Sequence, residues 1–285
     1  MTGFDRVIVA DWSASASPSP ARPSADAIWI GTADRDGVRT AYFRTRALAE
    51  AHLAGEIAGT RGRTLIGFDF PMGYPAGFAA RLTGQARAQA VWSWLAAHLE
   101  DGPDNRNNRF EVADRINAGF GGKGPFWGRP RGLALAHLPE RKAVDYQALG
   151  LEERRQVERV VPRAQAVWKL YTTGAAGSQG LVGQAMVHRL AALPGVAVWP
   201  FDAPMAPVVL AEVYPSLLAG AVAAAGAGIK DAAQVRLLAR ALWGLAKGGG
   251  LAALLTTPGG AVTTEEGWIL GAGHAALLAE ALTWA

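Results

Sequence analysis

Three short apolar runs in this chain each end on a single acid: Val7-Ile8-Val9-Ala10-Asp11, Leu65-Ile66-Gly67-Phe68-Asp69 and Val208-Val209-Leu210-Ala211-Glu212. The runs have the length of buried strands. An acid at such a place is costly, because a desolvated carboxylate must be paired, hydrogen-bonded or bound to a metal. One such run would carry no message. Three suggest a sheet that delivers carboxylates to one place, which is the layout of a divalent-metal site.

The first seventy residues read as βββαβ. Strands are expected over 6–11, 27–32 and 38–43, with Asp36-Gly37 as a hairpin turn between the second and third. The Ser/Pro/Ala stretch 13–25 is a loop. Residues 47–58 carry Leu48, Leu53 and Ile57 at near-helical spacing, and a fourth strand over 64–70 stops at Pro71. The middle is mostly helical: helices are expected over 85–99, 110–118, 151–161 and 183–193. A Gly/Pro/aromatic loop fills 119–132 and a glycine-rich turn 174–180. Strands follow over 196–201 and 207–213. The chain ends in a helix over 231–246 and an amphipathic helix over 263–282. Thr263 or Thr264 would cap this last helix, with Glu265 and Glu266 in its first turn, where the dipole favours negative charge. The expected architecture is a single α/β domain over 1–285, with a largely helical insertion at 76–205 between the fourth and fifth core strands.

Half of the 285 residues are hydrophobic, enough for a sizeable core. No uninterrupted apolar stretch reaches the roughly 18 residues of a membrane span. Met1-Thr2-Gly3-Phe4-Asp5 shows no secretory leader, and the absence of cysteine excludes disulfides and thiolate chemistry; both fit a cytoplasmic protein. The net charge of +4 permits a polyanionic partner without demanding one. His52, His98, His137, His188 and His274 have no paired spacing, so no zinc site is expected. Gly119-Phe120-Gly121-Gly122-Lys123-Gly124-Pro125 lacks the spacing of a phosphate loop and reads as a flexible loop or lid. Phe126 and Trp127 after it could stack bases, or anchor the loop to the core.

A βββαβ block followed by helices and a further strand is the ribonuclease-H-like plan. Acids at the ends of its first and fourth strands meet because those strands are neighbours. Carboxylates so placed can hold one or two Mg²⁺ or Mn²⁺ ions through oxygen ligands. The chain also resembles the DUF429 family, predicted nucleases of the ribonuclease-H-like superfamily. The resemblance rests on Val9-Ala10-Asp11-Trp12-Ser13, Phe68-Asp69-Phe70-Pro71-Met72-Gly73, Gly124-Pro125-Phe126, Gly177-Ser178-Gln179-Gly180, Trp199-Pro200-Phe201 and Glu212-Val213-Tyr214-Pro215-Ser216, in the family's order over most of the chain. It implies a metal-dependent phosphodiester hydrolase that acts on nucleic acid or a nucleotide phosphate. Asp11, Asp69, Glu212 and Glu266 would be its metal-binding and catalytic acids. Glu265 or Glu266 stands where family members carry an acid on their last helix, usually Asp. Relatives of the Asp-Trp-Ser-Ala type are linked to molybdopterin guanine dinucleotide synthesis.

Each acid has a plainer reading. Asp11 could bond nearby backbone or serines, Asp69 could cap its own turn, and Glu212 could pair with an arginine. Glu265 and Glu266 could serve a helix dipole, and Asp231, which otherwise competes for the place of fourth acid, could cap the helix that it starts. Two rival functions follow. Asp11-Trp12-Ser13-Ala14-Ser15 is similar to the first phosphate loop of actin-like ATPases and sugar kinases, without its glycine. A non-catalytic accessory protein in cofactor synthesis would keep the fold and pair its acids with arginines.

Overall fold

The structure, a computed structural model, describes residues 3–226 and 228–284. Met1 and Thr2, the start of the segment read for a leader, lie outside them. The described residues form an α/β fold with six strands: β1 (Arg6–Asp11), β2 (Ile28–Asp34), β3 (Gly37–Phe43), β4 (Thr64–Phe68), β5 (Val196–Trp199) and β6 (Val208–Glu212). In space the order is β3-β2-β1-β4-β6-β5. The β1–β2 and β2–β3 pairs are antiparallel; β1–β4, β4–β6 and β5–β6 are parallel. Ten α-helices accompany the sheet: α1 (Arg46–Ala58), α2 (Phe78–Thr83), α3 (Ala88–His98), α4 (Arg109–Gly119), α5 (Gln156–Val160), α6 (Ala176–Ala191), α7 (Ala219–Ala224), α8 (Lys230–Lys247), α9 (Leu251–Leu254) and α10 (Ala275–Ala281).

Burial on both faces explains why the central strands read as unbroken apolar runs. On one face Val7, Val9, Leu65 and Val209 pack with Val235, Leu238 and Leu242 of α8. On the other, Ile8, Ala10, Ile66 and Phe68 pack with Leu53 of α1, Trp92 of α3 and Met186 of α6. A third apolar cluster lies outside the sheet among α2, α3, α4, α6 and the long connections, centred on Tyr74, Phe78, Phe126 and Trp168. Two close approaches set the helix positions. A Cβ on Gly31 would sit 2.5 Å from the Val235 carbonyl oxygen, so the missing side chain lets α8 lie against β2. A Cβ on Gly183 would sit 2.5 Å from the Phe70 ring, so α6 comes equally close to the segment after β4.

Three expectations change. The glycine-rich segment 174–180 is a turn only at its start; α6 begins at Ala176, and its glycines serve helix packing. The helix expected over 151–161 shortens to α5. The expected last helix does not form over 263–282. Val262–Glu266 is one π-helical turn, and the chain then runs irregularly to α10. Gly267, Gly271 and Gly273 have φ of +74°, +89° and +80°, a conformation that ends helices, and the amphipathic pattern across them came from buried loop residues such as Ile269 and Leu270. The strand expected over 196–201 forms as β5, within 76–205, and extends the sheet past β6. Among the described residues no helix is long and apolar enough to cross a membrane.

Candidate active site

The parallel strands β1, β4 and β6 end at one edge of the sheet, and their acids gather there. Asp11 closes β1. Asp69 follows β4 directly and continues its ladder, its N–H donating to the Ala10 carbonyl at 3.0 Å. The pleat then sorts the acids by face. Asp11 follows Val7 and Val9 in the two-residue period, and Asp69 follows Leu65 and Gly67; both side chains leave on the α8 side. Glu212 follows Val208 and Leu210 and is in register with Phe68, so it leaves on the opposite side. Level with Asp11 and Asp69, one residue past β6, is Val213, whose side chain covers Gly67.

Asp11, Asp69 and Glu212 line one cleft of about 570 Å³. Asp231, in the first turn of α8, and Asp26, just before β2, line it as well. Asp231 accepts a hydrogen bond from the Asp26 backbone N–H at 2.7 Å. It is therefore not an N-cap: that position belongs to Ile229. The Asp11 and Asp69 carboxylates form no ion pair and accept no hydrogen bond among the described residues. Burial first, then the Asp69 charge, pushes Asp11 well above the ordinary carboxylate range; Asp231 and Asp26 add to this and Lys230 opposes it. Burial, then Glu212 and Asp231, pushes Asp69 up to about 7. Asp231 is raised too, chiefly by burial. These acids repel one another across an open cleft.

The other acids expected at the site have protein partners. Glu212 Oε1 accepts from Arg155 Nη2 at 2.7 Å; its Oε2 accepts from Arg155 Nη1 at 2.8 Å and from the Met72 N–H at 3.0 Å. Arg155 also donates from Nε to Glu158 Oε1 at 2.8 Å. This buried triad joins β6, α5 and the turn after Asp69. Glu265 and Glu266 do not line the cleft. Glu265 accepts from the N–H of Gly77, which precedes α2, at 3.0 Å; Glu266 accepts from the first N–H of α5, on Gln156, at 2.7 Å, and from that of Ala76 at 3.4 Å. They satisfy helix starts, as the dipole reading implies, but those of other helices.

Sequence reasoning did not find Asp26, Arg155 or Arg109. The first stands beside a stretch that reads only as loop. The two arginines carry no motif, and only the need to balance buried acids could have called for Arg155. The 119–132 loop does not line the cleft; Phe126 is fully buried against Tyr74 and Trp168, which makes it an anchor.

Among the described residues no group of three or more His, Asp or Glu side chains forms a ready metal cage. A pair of unneutralised carboxylates still fits Mg²⁺, or Mn²⁺ in its place, since Mg²⁺ commonly takes one or two carboxylates and completes its shell with water and substrate phosphate. No protein-family model, curated protein or solved structure matches this chain.

Proposed function

We propose that this chain is a ribonuclease-H-like protein, similar to the DUF429 predicted nucleases, that hydrolyses phosphodiesters at this cleft with Mg²⁺ or Mn²⁺. The observation that carries the reading is the Asp11–Asp69 pair: two neighbouring strand-end carboxylates that form no ion pair among the described residues, with only the Lys230 charge to offset their repulsion. The fold reading is supported by the antiparallel β3-β2-β1 meander joined to parallel β4. A bound divalent ion would supply charge stabilisation and a more acidic water. Asp11 and Asp69 would hold it. Asp231 adds negative potential from the start of α8. Glu212, fixed by Arg155, keeps the turn after Asp69 in place through the Met72 N–H. The substrate is a nucleic-acid strand or a nucleotide phosphate.

The test is calorimetric titration with Mn²⁺, followed by cleavage of DNA, RNA and branched substrates, each beside Asp11→Asn. Wild type should bind Mn²⁺ and cleave at least one substrate, and the variant should do neither. No Mn²⁺ binding by wild type would sink the site, and equal residual cleavage by the variant would mean a contaminating nuclease. One observation favours a second reading, a non-catalytic accessory protein that keeps the fold: Glu212 is paired with an arginine. Metal binding without turnover on any phosphodiester would favour that reading.

A further inference from the structure

The cleft also holds a buried positive charge. Arg109, the first residue of α4, lines it and is only 9 % exposed, yet it forms no ion pair among the described residues. Its Nε donates to Ser178 Oγ at 3.0 Å and its Nη1 to Asn107 Oδ1 at 2.8 Å; among the described residues no hydrogen bond engages Nη2. Ser178 Oγ in turn donates to the Leu170 carbonyl, which leaves its lone pairs for the guanidinium. Two acids act on it from nearby without pairing with it: Asp101 is held by Arg46, and Glu111 is exposed to solvent. Burial, then the Arg46 charge, lowers the Arg109 pKa to about 10, so it stays charged at neutral pH.

A buried guanidinium without a carboxylate costs stability. If its work were only to tie α4 to α6, a neutral amide could make the same two bonds at less cost. What the charge adds is attraction for an anion, with the fork geometry that suits a phosphate. An aromatic surface adjoins it. The guanidinium lies 4.2 Å from the centre of the Phe110 ring, and Phe110 meets Tyr171 edge to face at 6.5 Å. Tyr171 also lines the cleft and is 47 % exposed, free to stack on a planar ring. The cleft has the volume of a small-molecule site.

We propose that Arg109 seats the phosphate of a single nucleotide unit and Tyr171 stacks on its base, so that the substrate is a small phosphodiester or a strand end rather than a duplex. This rests on the phosphodiesterase reading for its chemistry, but its binding test is separate. AMP, adenosine, inorganic phosphate and a blunt DNA duplex would be titrated in Mn²⁺ and in EDTA. Wild type should prefer AMP to adenosine by at least about tenfold in both, and bind the duplex more weakly than AMP. Arg109→Gln should lose roughly ten- to a hundredfold in AMP affinity, bind AMP and adenosine alike, and not weaken Mn²⁺ binding. Tyr171→Ala should weaken AMP and adenosine together and leave inorganic phosphate unchanged. Equal binding of AMP and adenosine by wild type, an unchanged AMP affinity in Arg109→Gln, or a preference for the duplex would overturn the proposal. Should Arg109→Gln fail to fold, inorganic phosphate must displace AMP from wild type, and failure to do so is equally fatal. Mn²⁺ binding without AMP binding would defeat this inference alone; AMP binding without Mn²⁺ binding would defeat the metal reading alone.

Discussion

Asp69 is a residue whose environment works against its charge. Its folded pKa is pushed up to about 7, against an ordinary value near 4, by partial burial and by the nearby charges of Glu212 and Asp231. The folded state therefore holds this proton more tightly than the unfolded state does. Between roughly pH 4 and pH 7 the unfolded chain has already lost it, so stability falls as pH rises through that window. Allowing for water in the open cleft, the loss is roughly 1–2 kcal/mol. Asp69→Asn should flatten this pH dependence and be more stable than wild type at pH 8, as measured by urea denaturation across pH, while losing Mn²⁺ affinity. The opposite holds at Arg155. Its two acids are both buried, so Arg155→Met leaves Glu212 and Glu158 unpaired and should cost about 3–5 kcal/mol in the same assay. A cost below about 1 kcal/mol would mean that the triad is not what holds the turn after Asp69.

At the scale of elements, the site depends on how closely helices approach the sheet. Gly183 lets α6 reach Phe70, one residue past Asp69. Gly183→Ala should cost about 1–3 kcal/mol by overpacking and weaken Mn²⁺ binding through the shifted turn. An unchanged denaturation midpoint would show that α6 can yield. Helix α8 brings Asp231 to the cleft because Gly31 admits it against β2. The central strands β1, β4 and β6 were legible because each is an apolar run, β2 and β3 from the Asp36-Gly37 turn between them, and α8 because Val235, Leu238 and Leu242 mark one face. The last segment misled because buried loop residues imitate amphipathic spacing; nothing in that spacing announced the positive-φ glycines.

For the whole molecule, the sheet edge concentrates negative charge in a chain whose net charge is +4. A cation that binds only the folded state should stabilise all of it: at a hundredfold excess over its Kd the gain is about 2.7 kcal/mol, or a rise in Tm of roughly 5 °C or more. Differential scanning calorimetry with and without Mn²⁺ should show that rise in wild type and none in Asp11→Asn. The sequence alone determined the central strands, because continuous apolar runs are buried, and it determined that acids stand at the ends of β1 and β4. Chain order further implied that those two strands are neighbours. Which acids share a face was decided only in three dimensions. The two-residue pleat turns Glu212 to the face opposite Asp11 and Asp69 and into the hold of Arg155, from a segment 57 positions away, while its charge still reaches Asp69. Asp231, Arg109 and Tyr171 join the cleft from helices and a loop distant in the chain. Such convergence comes from packing, and local sequence carries no record of it.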